Sequence, residues 1–100
     1  MNRILFSLLA MLSFCNGAMA NSSLAQQKNC MTCHNLEKKV VGPAYKDVAS
    51  KYAGQDVNVK LAAKVINGGA GVWGPLAMPP NPQVSKSEAE TLVKWVLSLK

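Results

Sequence analysis

Hydrophobic residues near the C-terminus recur at helical spacing. Between residues 85 and 98 they occupy positions i, i+3, i+4, i+7 and i+8, which lie on one face of a helix. Ser85 and Glu88, three residues apart at the start of this segment, form the pattern of a capping box. We therefore predict a helix over residues 85–98 whose buried face consists of Ala89, Leu92, Val93, Val96 and Leu97.

Three further segments carry helical signals. Residues 43–52 start with a proline, which the first turn of a helix tolerates, and residues 58–67 end at a pair of glycines. Residues 23–29 lead into two cysteines. The intervening residues 68–85 are rich in glycine and proline, which predicts a stiff loop. Because no segment alternates polar and apolar residues as a strand does, the predicted fold class is all-α with about four helices.

The first twenty residues have the features of an export signal. Arg3 gives a positive start, residues 4–14 form an apolar stretch too short to span a bilayer, and Ala18-Met19-Ala20 is a small-x-small cleavage site. We expect residues 1–20 to be a signal peptide and residues 21–100 to be the mature domain.

A lipoprotein signal is the alternative. Cys15 would then be acylated, since a leucine stands three residues before it. Such sites usually carry a small residue directly before the cysteine, and Phe14 is bulky. The sequence therefore favours the ordinary signal peptide.

Size and charge limit what the mature domain can be. A chain of about 80 residues buries a limited share of its surface on folding and often needs a staple or a bound group to be stable. It carries ten lysines against five acidic residues, a net charge of +5. The lysines are scattered and aromatic residues are few, so we predict a solvated basic surface and no nucleic-acid binding. No segment is long and apolar enough for stable membrane insertion.

The strongest chemical signal is Cys30-Met31-Thr32-Cys33-His34. This spacing is that of covalent haem attachment, in which two thiols bond the vinyl groups and the histidine binds iron. A thioredoxin-like thiol pair would need a βαβ setting, which is missing. Tetrahedral zinc would need further ligands, yet His34 is the only histidine and residues 21–100 contain no other cysteine. We predict one haem c, bound through Cys30 and Cys33.

The second iron ligand follows by elimination. Without a second histidine, the candidates are the methionines, and Met31 lies inside the attachment motif. Met78 stands in the proline-rich loop, where its side chain can be aimed at iron with little loss of entropy. A lysine ligand and an open position with water are the alternatives, and a lone methionine is commonly only a core filler.

Residues 21–100 as a whole resemble the short bacterial class I cytochromes c of the pseudomonad type. The resemblance implies a small class I cytochrome c fold of about four helices wrapped around one covalently bound haem. It further implies a monomeric periplasmic electron carrier and not an enzyme, with nitrite reductase, a terminal oxidase or a membrane cytochrome complex as candidate redox partners. The matching segments are residues 30–34, 41–48, 71–75, 78–81 and 94–97.

The resemblance also implies roles for four residues. Pro43 would accept a hydrogen bond from the ring of His34 through its carbonyl. Asn81 would donate to the Met78 sulfur, Trp73 would donate to a haem propionate, and Lys64 would face the propionates. Each residue also has a plainer explanation. Pro43 would only start a helix and Asn81 would only make a turn. Trp73 would only fill the core and Lys64 would only be solvated.

Ligation by both an imidazole and a thioether leaves no open position for a substrate, so we expect one-electron outer-sphere transfer. The alternative is a haem sensor or a peroxidase-like enzyme whose methionine ligand dissociates. We also expect Lys28, Lys38 and Lys39, which are near the attachment motif, to form a basic rim that steers partners. Trp95 is expected to be a core residue.

Overall fold

The computed structural model describes the backbone of residues 16–100 and the side chains of residues 21–100. Over that range the chain forms four α-helices and one turn of 3-10 helix, which confirms the all-α prediction. None of these helices is long and apolar enough to cross a membrane. Most of the expected signal peptide, including Cys15, lies outside the described residues. The elements are α1 (Asn16–Gln27), the 3-10 turn (Cys30–Thr32), α2 (Tyr45–Lys51), α3 (Asn58–Asn67) and α4 (Lys86–Leu97).

The helices that the pattern predicted best are α3 and α4. α3 has the predicted bounds and ends at a glycine. α4 is capped at Ser85, whose side chain accepts a hydrogen bond from the Glu88 backbone N–H at 3.1 Å. The Glu88 carboxylate in turn accepts one from the Ser85 backbone N–H at 2.9 Å. The predicted capping box is therefore confirmed, and it satisfies two donors that the helix itself leaves free.

α2 begins at Tyr45, two residues after the predicted start at Pro43. The first donors of the helix are satisfied from outside it, because the N–H groups of Tyr45 and Lys46 donate to the carbonyls of Asn35 and Leu36 at 2.9 and 3.0 Å. The loop that follows the cysteine motif thus fixes the start of α2. Pro43 stays outside the helix, and its carbonyl is available to another partner.

The core forms around α4, which packs against α1, α2 and α3. Trp95 lies in this core at 6% exposure, as predicted, and its ring meets that of Tyr45 edge to face at 5.7 Å. The buried cluster consists of Ala25, Tyr45, Ala62, Val84, Ala89, Leu92, Val93, Trp95 and Val96.

Lys28 joins the end of α1 to the start of α4. Its ammonium lies 3.3 Å from the Glu88 carboxylate and donates to the Gln83 carbonyl at 3.1 Å. The Gln83 side-chain amide donates back to the Lys28 carbonyl at 3.0 Å. The ion pair with Glu88 offsets part of the charge that Lys28 was expected to add to the basic rim, and the rim itself stays a prediction. Lys38 and Lys39 are exposed.

Candidate functional site

The cysteine motif folds as one helical turn. Asn29, at the left-handed φ of 67°, ends the run from α1 and directs the chain into the 3-10 turn. The N–H groups of Cys33 and His34 both donate to the Cys30 carbonyl, at 3.2 and 3.1 Å. The two thiols are thus held one turn apart, and each cysteine is half-buried. This is the arrangement that the spacing predicted.

The ring of His34 is oriented by the backbone at Pro43. Its Nδ1 lies 2.8 Å from the Pro43 carbonyl oxygen. Because a carbonyl can only accept, Nδ1 carries the hydrogen, and Nε2 keeps a lone pair available to a metal. The hydrogen bond that the resemblance implied is therefore present in the structure.

Two further residues contact the same ring. The Tyr45 ring stacks on it at a centroid distance of 4.6 Å and an interplanar angle of 21°. A Cβ at Gly42 would lie only 2.6 Å from His34 Cε1, so this glycine makes room for the imidazole. The sequence analysis assigned neither residue to the site. Glycine next to proline reads equally well as a turn, and nothing in the sequence shows that its missing side chain faces His34.

Met78 is held by the chain that follows α3. Its N–H donates to the Gly69 carbonyl at 2.7 Å, and its carbonyl accepts from the Gly69 N–H at 3.0 Å. This pair of hydrogen bonds fixes the Met78 backbone, and its side chain is half-buried.

Both cysteines, His34 and Met78 line one cavity of about 460 Å³. Cofactor sites commonly measure roughly 300–1,000 Å³ and are mostly apolar with a few polar groups. The cavity brings together two thiols for thioether bonds, an imidazole nitrogen and a soft thioether for iron, with aliphatic and aromatic walls for a porphyrin. The residues present therefore fit a covalently attached haem. Part of α4 closes the cavity, through Leu92, Val93, Val96 and Leu97.

In the structure the Asn81 side chain makes hydrogen bonds other than the one to the Met78 sulfur that the resemblance implied. Its side-chain nitrogen donates to the Val65 carbonyl at 2.8 Å and to the Pro79 carbonyl at 3.3 Å. Asn81 is absent from the cavity lining, and among the described residues no hydrogen bond joins it to the Met78 sulfur. Its two N–H groups are used by backbone carbonyls, so the implied bond to sulfur is corrected to a bond to the last turn of α3.

Trp73 and Lys64 both line the cavity. Trp73 is 40% exposed, and the Lys51 ammonium lies 5.5 Å from the centroid of its ring and 5.8 Å from that of Tyr52. Lys39 also lines the cavity, so two ammonium groups are available to carboxylates bound there. The roles of Trp73 and Lys64 toward haem propionates stay predictions.

Two groups that line the cavity, Cys30 and Tyr45, have raised pKa values. Burial raises the pKa of the Cys30 thiol, and the neighbouring Tyr45 hydroxyl offsets part of that effect. Burial also raises the pKa of Tyr45 well above its usual range, with Cys30 adding to the shift. Before Cys30 forms a thioether, both groups are therefore protonated at neutral pH.

Comparison with known proteins agrees with this geometry. The profile of the family described as Cytochrome c matches residues 19–100. The chain belongs to the cytochrome c family. It is 50% identical over 96 residues to cytochrome c-552 of Hydrogenobacter thermophilus, covering 95% of this chain and 97% of that one. It is 56% identical over 78 residues to cytochrome c-551 of Pseudomonas aeruginosa, covering 77% of this chain and 74% of that one.

A solved relative shows the same fold. The crystal structure of wild-type Nitrosomonas europaea cytochrome c552 superposes with a TM-score of 0.77 at 50% identity, covering 79% of this cytochrome and 99% of that chain. This protein is therefore a small class I cytochrome c that carries haem c on Cys30 and Cys33 and serves as a monohaem electron carrier.

Proposed function

We propose that this cytochrome carries electrons in the periplasm between respiratory or denitrification partners, on a haem whose iron is bound by His34 and Met78. The observation that carries the proposal is that one cavity brings together both thiols, the oriented imidazole and Met78, the only methionine of residues 21–100 outside the attachment motif. Residues 1–20 are proposed as the export signal that delivers the chain there, and residues 21–100 as the mature domain.

The haem supplies a reversible one-electron change at its iron. The protein contributes a site that changes little during that step. Pro43 holds the His34 ring at 2.8 Å, and Gly69 holds the Met78 backbone through two hydrogen bonds. Because His34 and Met78 would both bind the iron and leave no ligand position for a substrate, we propose that the protein is a carrier and not an enzyme.

The surface over the cavity suits transient partners. Val41, Val72 and Leu76 line the cavity and are 47%, 46% and 67% exposed. Such a small apolar area supports brief contact, while exposed lysines such as Lys38 and Lys39 raise the rate of encounter with an acidic partner. Nitrite reductase, a terminal oxidase and a membrane cytochrome complex are the proposed partner classes.

Carbon monoxide tests the ligand assignment. We expect the reduced wild-type protein to leave carbon monoxide unbound, because Met78 occupies the sixth position. Met78→Leu should bind it, while Met31→Leu, which changes a methionine that packs against the core, should behave as wild type. Binding by the wild-type protein would contradict the assignment and favour a gas sensor or a peroxidase-like enzyme.

A further inference from the structure

The backbone at Gly68 adopts a conformation that only glycine takes readily. Its φ of 76° and ψ of −176° fall in a region closed to residues with a side chain. A Cβ at this position would also lie 2.5 Å from the Met78 carbonyl oxygen, 2.8 Å from Pro80 N and 2.9 Å from the Pro79 carbonyl carbon. All three are backbone atoms, which cannot rotate away as a side chain can. The loop that carries Met78 therefore passes directly against the end of α3.

Hydrogen bonds tie the same loop to α3 on either side of this contact. Gly69 and Met78 exchange two backbone bonds at 3.0 and 2.7 Å. The Asn81 N–H donates to the Ile66 carbonyl at 3.0 Å, and the Asn81 side chain donates to that of Val65 at 2.8 Å. We call Val65, Ile66 and Gly69 the α3 seat. α3 packs on α4, and Val65 and Ile66 pack against the buried core.

We propose that Gly68 is a positioning residue for Met78. Because Gly68 has no side chain, the loop that carries Met78 can pack directly against the α3 seat. This contact sets where the Met78 sulfur lies relative to His34. The inference rests on the assignment of Met78 as an iron ligand made above. It assigns the positioning of the Met78 sulfur to the backbone at the end of α3, because the Asn81 side chain donates to the Val65 carbonyl there and not to the sulfur.

The test is Gly68→Ala in the haem-loaded protein, with Gly54→Ala as the matched control. Gly54 has almost the same φ, 77°, but a Cβ there would meet nothing within 4 Å. Both variants place a side chain at a positive φ, and only Gly68→Ala pushes the Met78 loop. An effect that both share therefore reports the positive φ, and an effect confined to Gly68→Ala reports the local geometry of Gly68, which comprises its ψ of −176° and its contact with the loop.

Three readouts follow Met78 itself: the sulfur-to-iron charge-transfer band of the ferric protein, the methionine methyl resonance of the reduced protein, and the reduction potential. We expect Gly68→Ala to weaken the band, shift the resonance and lower the potential. Added imidazole, which competes for the sixth position, should bind the ferric variant roughly tenfold or more tightly, the scale set by overpacking a close contact. Gly54→Ala should lose some stability and match wild type in all these readouts. A Gly68→Ala protein with wild-type band, resonance and imidazole affinity would overturn the proposal.

A second variant covers the case in which Gly68→Ala does not fold. Asn81→Ala removes one bond to the α3 seat without steric pressure, and it should shift the same readouts in the same direction by a smaller factor. Unchanged readouts in Asn81→Ala would then overturn the α3 seat as the positioning element. A wild-type protein lacking the methionine resonance would instead contradict the ligand assignment under the proposed function, so the two failures are distinct.

Discussion

Gly42 gives the sharpest prediction about the histidine side of the site. In Gly42→Ala the new Cβ would lie 2.6 Å from His34 Cε1 and 2.9 Å from Nδ1. Carbon atoms in contact prefer about 3.5–4.0 Å, so the ring must move by about 1 Å. The Gly42 backbone resists moving instead, because its N–H donates to the Cys33 carbonyl at 2.8 Å and its carbonyl accepts from Val40 N–H at 3.1 Å.

A 1 Å shift of the ring also stretches its hydrogen bond to Pro43 beyond useful length, since that bond is 2.8 Å long. Overpacking costs about 1–3 kcal/mol and the lost bond about 0.5–1.5 kcal/mol. The φ of Gly42 is not positive, so alanine recovers about 0.4–1 kcal/mol by restricting the unfolded chain. The net loss expected for Gly42→Ala is therefore roughly 0.5–4 kcal/mol.

Denaturant unfolding of the haem-loaded protein measures this loss, and the NMR shift of the His34 Nδ1 proton reports the bond to Pro43. Gly69→Ala is the matched control. Its φ is also not positive, and its Cβ would meet only the flexible end of Lys64, at 3.1 Å from Cε. We expect the control to stay within about 0.5 kcal/mol of wild type. Equal stabilities for the two variants, with an unmoved Nδ1 proton, would refute the argument from the ring contact.

Cys33→Ala should abolish stable holoprotein, because a single thioether must then retain the haem in a chain of marginal size; recovery of a haem-free variant that unfolds cooperatively would contradict this. Ser85→Ala should cost about 1 kcal/mol in chemical unfolding through loss of the helix cap. The hydrogen bond from the Ser85 backbone N–H, together with the Lys28 ammonium, lowers the pKa of the Glu88 carboxyl. The ionised Glu88 therefore stabilises the fold above the ordinary carboxyl pKa, and this stabilisation is lost as the pH falls through the lowered value. Glu88→Gln should therefore flatten the acid side of the stability curve, and an unchanged acid limb would exclude the effect. The rate of electron transfer to an acidic partner, measured by stopped flow, should fall with rising ionic strength, and Lys39→Glu should lower it more than Lys100→Glu. A rate that changes with neither ionic strength nor these substitutions would show that apolar contact alone governs docking.

Much of the site was readable from the sequence because its signals are local. The attachment motif has a spacing of one helical turn, and the structure folds it as such a turn. The capping box at Ser85 and the buried face of α4 were predicted from residue types a few positions apart. The capping box is present, and Ala89, Leu92, Val93 and Val96 are buried as predicted, whereas Leu97 is only partly buried. Local hydrogen bonding and helical periodicity depend only on neighbouring residues, so a single sequence determines them.

The contacts that orient the proposed ligands were decided only by the tertiary structure. Gly42 and Gly68 matter because side chains there would strike His34 and the Met78 loop, and those partners lie 8 and 10 or more positions away along the chain. Lys28 was expected in a basic rim near the attachment motif, and the structure shows that its ammonium contacts Glu88 and the carbonyl of Gln83, which is 55 residues away along the chain. Asn81 stands three residues from Met78, yet it bonds α3 and not the sulfur. Packing of distant segments determines which backbone atoms come within reach of one another, and no local pattern encodes that choice.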